Sequence, residues 1–351
     1  MRVQVHPADT GGCGYYRLRW AAEALQAEGA DVALGENLRG VYQDGPDGPV
    51  AISVVAPDAD VVVLQRVLNR EVCDLIPLLQ AQGVAVVVEI DDHFHGLPRS
   101  NPAHAQTDPV RSGAYNRDVL QRACDLADLV TCTTPGLARQ YGRHGRVQVI
   151  PNYARRSWTE LPAPDQRPTT LGWTGAIATH RGDVDEARQA VRQALDEHPD
   201  WTFHALGSEL VRGVLRIPPA RFSSAAWADL LTDAYPRAIQ AIGVGLVPLR
   251  DSSFNRVGKS WLKGLEYAAC GVPFVASRVG DYERLAKVLT VPLVRGWGEW
   301  NRELRRLLED ASWREDVAAV NRERVRQQLT IEGNLERWTD AWRMAWTNRR
   351  T

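Results

Sequence analysis

Residues 259–277 read KSWLKGLEYAACGVPFVAS: a helix, KSWLKGLEYAAC, running straight into a short apolar strand, VPFVAS. A helix that feeds a buried strand is half of a βαβ unit, so this stretch sets the fold class as α/β with parallel sheets. The same alternation precedes it. Strand TTLGW (169–173) leads to helix GDVDEARQAVRQALDEHP (182–199), strand WTFHAL (201–206), helix AWADLLTDAYPRAIQAI (226–242) and strand VGLVPL (244–249). A lone carboxylate, Glu266, stands in the quoted stretch, which is otherwise suited to burial. An intrahelical ion pair with Lys263 is the plainest account of it. The other account is a ligand-facing carboxylate, because a helix starting near Ser260 places Lys259, Lys263 and Glu266 at i, i+4 and i+7 on one face.

The first half of the chain alternates in the same way, with strands at RVQVH (2–6), DVVVL (60–64), VAVVVEI (84–90), LVTC (129–132) and VQVIP (147–151). The helix 17–29 between the first two ends at Gly29, a good C-cap. Pro162, Pro164 and Pro168 interrupt residues 154–168, which read as a linker. The expected organisation is a first Rossmann-like domain over 1–153, the linker 154–168 and a second such domain over 169–330. A terminal segment, 331–351, then crosses back to the first domain. Its tryptophans 338, 342 and 346 fall at i, i+4 and i+8, a packing stripe.

At 351 residues with 44% hydrophobic and 24% charged side chains, the chain can bury two ordinary cores and is not of the disordered class. No apolar run reaches membrane-span length, and MRVQVHP lacks the apolar core of a signal peptide, so a cytoplasmic enzyme without a membrane span is expected. Five scattered cysteines without a CxxC pair encode neither a disulfide framework nor a zinc site. Of 42 basic residues, three are lysines and 39 are arginines. They are unevenly spread: residues 1–165 carry 15 basic and 20 acidic side chains, the remainder 27 and 23. The basic second half suits an anionic ligand better than the first.

In open α/β sheets ligands sit at the carboxyl ends of strands, before helix N-termini. Four loops there carry polar residues that a core does not need. HPADTGGCGYYR (6–17) offers Gly12 and Gly14 for close approach to a phosphate, with Arg17 nearby, although the spacing is not that of a dinucleotide fingerprint. EIDDHF (89–94) and the following His95 crowd Asp91, Asp92, His93 and His95 at a strand end, a pattern suited to acid–base chemistry. TGAIATHRGD (174–183) offers Thr174, Gly175, His180 and Arg181, with Asp183 as a helix cap. In PLRDSSFNRVGKS (248–260), GKS fails as a P-loop because Ser253 stands where glycine is needed. Asn255, Lys259 and Ser260 remain there as donor-binding candidates, beside Lys263 and Glu266.

With these residues in view, KSWLKGLEYAACGVPFVAS resembles the nucleotide-binding signature of family-4 type retaining glycosyltransferases of the GT-B fold, a divergent branch of them. VIPNY (149–153), GGCGYYR, LGWTGAIATHRGD and EIDDHF are similar to other segments of that family. The resemblance implies two Rossmann-like domains facing across a cleft, with the donor nucleotide in the second. It makes Glu266 the carboxylate that bonds the ribose hydroxyls. The first glutamate of the family's pair is missing, since its position holds Gly258. The family's usual diphosphate-binding Arg and Lys are also absent from their normal context, and His180, Arg181 and Lys259 stand in for them.

The activity so implied is a nucleotide-sugar-dependent hexosyltransferase, retaining and metal-independent. A UDP-sugar is a co-substrate rather than a cofactor. Asp91, Asp92, His93 and His95 are the expected catalytic groups. The acceptor is a small molecule or glycan, with hydroxymethylated pyrimidine DNA, as for a phage DNA-modifying enzyme, left open. A nucleotide-sugar epimerase of GT-B fold is the alternative of another class.

Overall fold

The computed structural model describes residues 1–35, 38–45, 48–55, 57–180 and 182–350. The chain forms two compact units, one of residues 1–152 with 334–351 and one of residues 153–333.

The first unit holds a six-stranded parallel sheet of β1 (Val3–His6), β2 (Val32–Leu34), β5 (Val61–Gln65), β6 (Ala85–Ile90), β7 (Leu129–Cys132) and β8 (Val147–Val149), in the order β2-β1-β5-β6-β7-β8. Every residue of β5 and β6 is buried, which is why both read as unbroken apolar runs rather than alternating ones. An antiparallel pair, β3 (Gly40–Gly45) with β4 (Gly48–Val54), is inserted before β5 and leaves Val41, Val50 and Ile52 exposed. The helix expected over 17–29 is instead an α-helix, Trp20–Ala27, entered through a π-helical turn, Tyr15–Arg19. The smaller angular step of that turn keeps Tyr16, Arg17 and Leu18 all on the sheet side. The C-terminal helix Glu336–Arg350 lies on this unit. It buries Trp338 and Trp342 and donates from Trp338 Nε1 to the Arg17 carbonyl at 3.0 Å. Trp346 is only half-buried, with Arg350 over its ring.

The second unit holds β9 (Thr170–Thr174), β10 (Thr202–Leu206), β11 (Phe222–Ala225), β12 (Val244–Val247), β13 (Phe274–Ser277) and β14 (Leu293–Val294), parallel and ordered β11-β10-β9-β12-β13-β14. Three sequence expectations are corrected here. Residues 154–168 are not a free linker: Ala154 bridges Thr330, and a helix, Arg156–Glu160, buries Trp158, which is 2% exposed. Arg322 fastens the segment by donating to the carbonyls of Thr159 and Leu161. The stretch 226–242 is helical only over Ala234–Gln240, because Asp229 and Thr232 accept from the nearby backbone of Leu231 and Ala234 and compete with the helix. The helix expected from Ser260 starts at Leu262, after a separate helix Ser253–Gly258. Lys259, extended between them, therefore does not share a helix face with Lys263 and Glu266. Among the described residues, no helix is long and apolar enough to cross a membrane.

Candidate active site

Each sheet has one point where the strand order reverses, between β1 and β5 in the first unit and between β9 and β12 in the second. Loops diverge there and leave a crevice at the carboxyl ends of the strands.

At the first of these points the glycine loop is already occupied by the protein's own carboxylate. Asp9 Oδ1 accepts from Gly11 N at 2.9 Å and Gly14 N at 3.0 Å, so the loop of Gly12 and Gly14 is not an open phosphate cradle. Arg17 is likewise corrected. It is 1% exposed and donates to Glu89 Oε1 at 2.8 Å, Asn152 Oδ1 at 2.9 Å and the Ile150 carbonyl at 2.7 Å. Burial pushes the Glu89 carboxyl up, and Arg17 and Thr131 oppose the shift. This is an internal brace with no face toward a ligand.

The cluster at 91–95 divides among different partners. Asp91 is gripped at both oxygens by Arg66, which follows β5 in the left-handed region with φ 54° and so turns its guanidinium back toward the site. Desolvation raises the Asp91 carboxyl, but Arg66, with Arg17, outweighs it and holds the group below the usual carboxylate range. Asp92 accepts from the His93 backbone N–H at 2.9 Å. His95 Nδ1 lies 3.2 Å from the Tyr141 hydroxyl. Burial lowers both His93 and His95, against the nearby charge of Asp92 and Asp118 respectively. Asp91 is thus a held, ionised group, and the histidines are neutral at pH 7. Arg66 was not foreseen, since nothing around it in sequence marks it.

At the reversal point of the second unit, Asp183 ties the two diverging loops together. Its Oδ1 accepts from Arg250 N at 3.0 Å and Asn255 Nδ2 at 2.8 Å, and its Oδ2 lies 3.0 Å from His180 Nδ1. Asp183 was expected to cap a helix; its side chain caps nothing and instead spans from the loop after β9 to the loop after β12. Burial drives the His180 imidazole down to about 4, with Asp183 opposing. A neutral ring whose Nδ1–H faces a carboxylate presents Nε2 as an acceptor. His180 therefore suits a hydroxyl rather than the phosphate expected of it. Asn255 donates to both Asp183 and the Arg250 carbonyl, while its buried Oδ1 has no partner among the described residues. The Arg250 guanidinium lies against Gly182 (φ 83°), where a Cβ would approach it to 2.9 Å. Arg181 lies outside the described residues.

Lys263 turns inward. Its Nζ donates to the Thr174 carbonyl at the end of β9 and sits 5.0 Å from the Trp173 ring. Burial lowers its ammonium to about 8. It closes the strand end beside Gly175. Lys259 Nζ lies 4.8 Å above the Phe254 ring, and Ser260 follows it, half-buried, just ahead of the helix Leu262–Ala269. Glu266 is 6% exposed and accepts from the Tyr235 hydroxyl at 3.1 Å. A buried carboxylate beside a buried hydroxyl is oriented before any ligand arrives.

Asp281, after β13, is buried with Oδ1 on Arg284 Nη1 at 3.0 Å and Oδ2 without a partner among the described residues. Burial raises its carboxyl to about 6, and Arg284 opposes this only in part. A carboxyl raised in the folded state keeps a proton that the unfolded chain has released, so stability falls as pH rises from about 4 to about 6. Asp281→Asn is expected to be more stable than the parent by about 2 kcal/mol at pH 7, and nearly equal to it at pH 4. Urea denaturation at both pH values checks this; a gain that does not change with pH would refute the assignment.

Residues 183–340 match the family described as glycosyl transferase-like. No curated protein sequence matches the chain. Among solved structures, sucrose-phosphate synthase from Thermosynechococcus elongatus is similar at 16% identity and TM-score 0.62, with 98% of each chain covered. HepE from Anabaena, solved with UDP, is similar at 13% identity and TM-score 0.62, covering 97% of this chain and 99% of that one. The E. coli protein described as trehalose-6-phosphate bound with UDP-2-fluoro glucose is similar at 14% identity and TM-score 0.61, covering 97% and 98%. The family match opens on Asp183, the residue that joins the two loops of the second unit, and the likeness to these structures over nearly the whole chain shows that the fold is that of the GT-B glycosyltransferases.

Proposed function

We propose that the protein transfers a sugar from a UDP-sugar to an acceptor hydroxyl of a small molecule or glycan, with retention at the anomeric carbon and without a metal. The donor is held in the second unit. The observation that carries this reading is the Asp183 tie, which fixes His180, Arg250 and Asn255 around the reversal point of that unit. The UDP and UDP-2-fluoro glucose bound by two similar structures support the choice of nucleotide.

When the bond from the anomeric carbon to the diphosphate breaks, negative charge grows on the leaving group. Arg250, Lys259 and the N-terminal amides of the helix Leu262–Ala269 are the groups placed to oppose it. His180 Nε2 accepts from a sugar hydroxyl, and Glu266, oriented by Tyr235, accepts from the ribose. In the first unit, Asp92, His93 and His95 serve the acceptor side. Asp91, held by Arg66, positions its neighbours.

A panel of nucleotide sugars tested for thermal stabilisation examines the reading, since a bound donor must raise the melting temperature by mass action. A UDP-sugar is expected to give the largest shift; no shift from any member of the panel would overturn the reading. Sugar conversion with no acceptor present would point to epimerisation instead of transfer. Glu266→Gln keeps the bond from Tyr235 but loses the charge. It is expected to raise the donor Kd roughly tenfold while the unliganded melting temperature stays within a few degrees; calorimetric titration measures the first and differential scanning fluorimetry the second.

A further inference from the structure

Three of the 42 basic residues are lysines, and two of these, Lys259 and Lys263, flank the start of the helix Leu262–Ala269. Arginine, which the chain uses elsewhere, keeps its proton at any ordinary pH, whereas a lysine gives it up when buried. Lys263 stands in the first turn of that helix and reaches across to the end of β9. Its Nζ donates to the Thr174 carbonyl and lies 3.4 Å from Thr174 Oγ1 and 5.0 Å from the Trp173 ring. The slot is narrow: a Cβ on Gly175 would come within 3.2 Å of Nζ and 2.5 Å of the Trp173 indole. A compact, titratable charge is thus built into the floor of the second unit's reversal point, where β9 meets β12.

The charges facing this ammonium come from three elements. Burial acts most strongly on it and favours the neutral amine. Glu266, one turn along the same helix, and Asp183, in the loop after β9, favour the charge, and Lys259, in the connector before the helix, opposes it. Burial keeps the Tyr267 hydroxyl, which accepts from Thr174 N at 3.2 Å, and the His180 ring, edge-on to Trp173 at 5.8 Å, neutral at pH 7. Lys263 is therefore charged at pH 7 and neutral by pH 9. A diphosphate arriving at the helix N-terminus adds negative charge nearby, and through protein rather than water that charge is felt without contact. The bound anion then favours the protonated lysine, and by linkage the protonated lysine favours the anion. We propose that Lys263, bonded to the Thr174 carbonyl, is a titrating cation behind the donor site, whose loss of a proton in mildly alkaline solution weakens donor binding. The inference rests on the placement of the donor in the second unit.

The test is calorimetric titration of UDP into the full chain at pH 7, 8 and 9, with the parent, Lys263→Met and Lys263→Gln. The parent's Kd is expected to rise about tenfold from pH 7 to pH 9. Between those limits, runs in two buffers of different ionisation enthalpy should show a fraction of a proton taken up per UDP bound. Lys263→Met should bind at pH 7 as weakly as the parent does at pH 9, with a smaller change over that range and no matching proton uptake. Titration of UDP itself is common to all the proteins and drops out of the comparison. Lys263→Gln keeps a donor of hydrogen bonds but no charge and should behave as Lys263→Met does, which covers the case in which the methionine variant fails to fold. Recovery of the parent's affinity in Lys263→Gln would overturn the role of the charge. So would a parent whose Kd does not differ in pH dependence from that of the variants. Both results leave the donor reading standing. If the parent binds no UDP at any of the three pH values, the donor reading falls and this inference with it.

Discussion

Arg17→Met is expected to destabilise the first unit by about 3–5 kcal/mol. The variant strands Glu89, which is 1% exposed, without its counter-charge, and removes the donors to Asn152 and the Ile150 carbonyl. The mutant must bury an unpaired carboxylate or protonate it. Adding Glu89→Leu to Arg17→Met should recover most of the loss, because a buried ion pair adds little over an apolar pair of similar volume, while half a pair is costly. Urea denaturation followed by tryptophan fluorescence measures both variants. Equal stability of Arg17→Met and the parent would mean that Arg17 is not the brace described here. The same outcome would reopen its role as a ligand residue.

Asp183→Ala is expected to cost about 3 kcal/mol in the second unit, since three donors, Arg250 N, Asn255 Nδ2 and His180 Nδ1, lose a charged acceptor in a buried setting. It is also expected to abolish transfer, because the two loops at the sheet's reversal point lose their common anchor. Asp183→Asn separates the two effects. Its amide oxygen can still receive Arg250 N and Asn255 Nδ2, while its NH₂ would face His180 Nδ1 and force the opposite tautomer, turning Nε2 from acceptor to donor. That variant should keep most of the stability and lose most of the activity. A fully active Asp183→Asn would show that the acceptor character of His180 Nε2 is not used.

Much of the architecture is legible in the chain because its signals are local. The continuous valines of β5 and β6 announce a sheet covered on both faces, and the helix-to-strand run at 259–277 announces its crossovers. What failed locally failed for local reasons. Asp229 and Thr232 draw the backbone out of a helix around Trp227, and Trp158 pulls a proline-rich segment into a core. The hairpin of β3 and β4 has turn residues in DGPDG (44–48), but its exposed strands lack the apolar pattern of the core strands, and the reading passed over it.

The candidate site is legible only as a set of loops. Sequence located the loops after β1, β6, β9 and β12 and the motif around Glu266, since these follow from strand ends and from a short run of residues. It did not decide which charged groups in those loops serve a ligand and which serve the fold. Arg17 and Glu89 are 72 residues apart, as are Asp183 and Asn255; such pairs exist only once the strands are side by side. Tertiary structure engages Arg17 with Glu89, Lys263 with the Thr174 carbonyl and the glycine loop with Asp9, and it sets Arg250 beside Asp183 and Tyr235 beside Glu266. A charge near the chain's own counter-charge is satisfied internally, and one that folding leaves at the carboxyl edge of the sheet remains for the substrate.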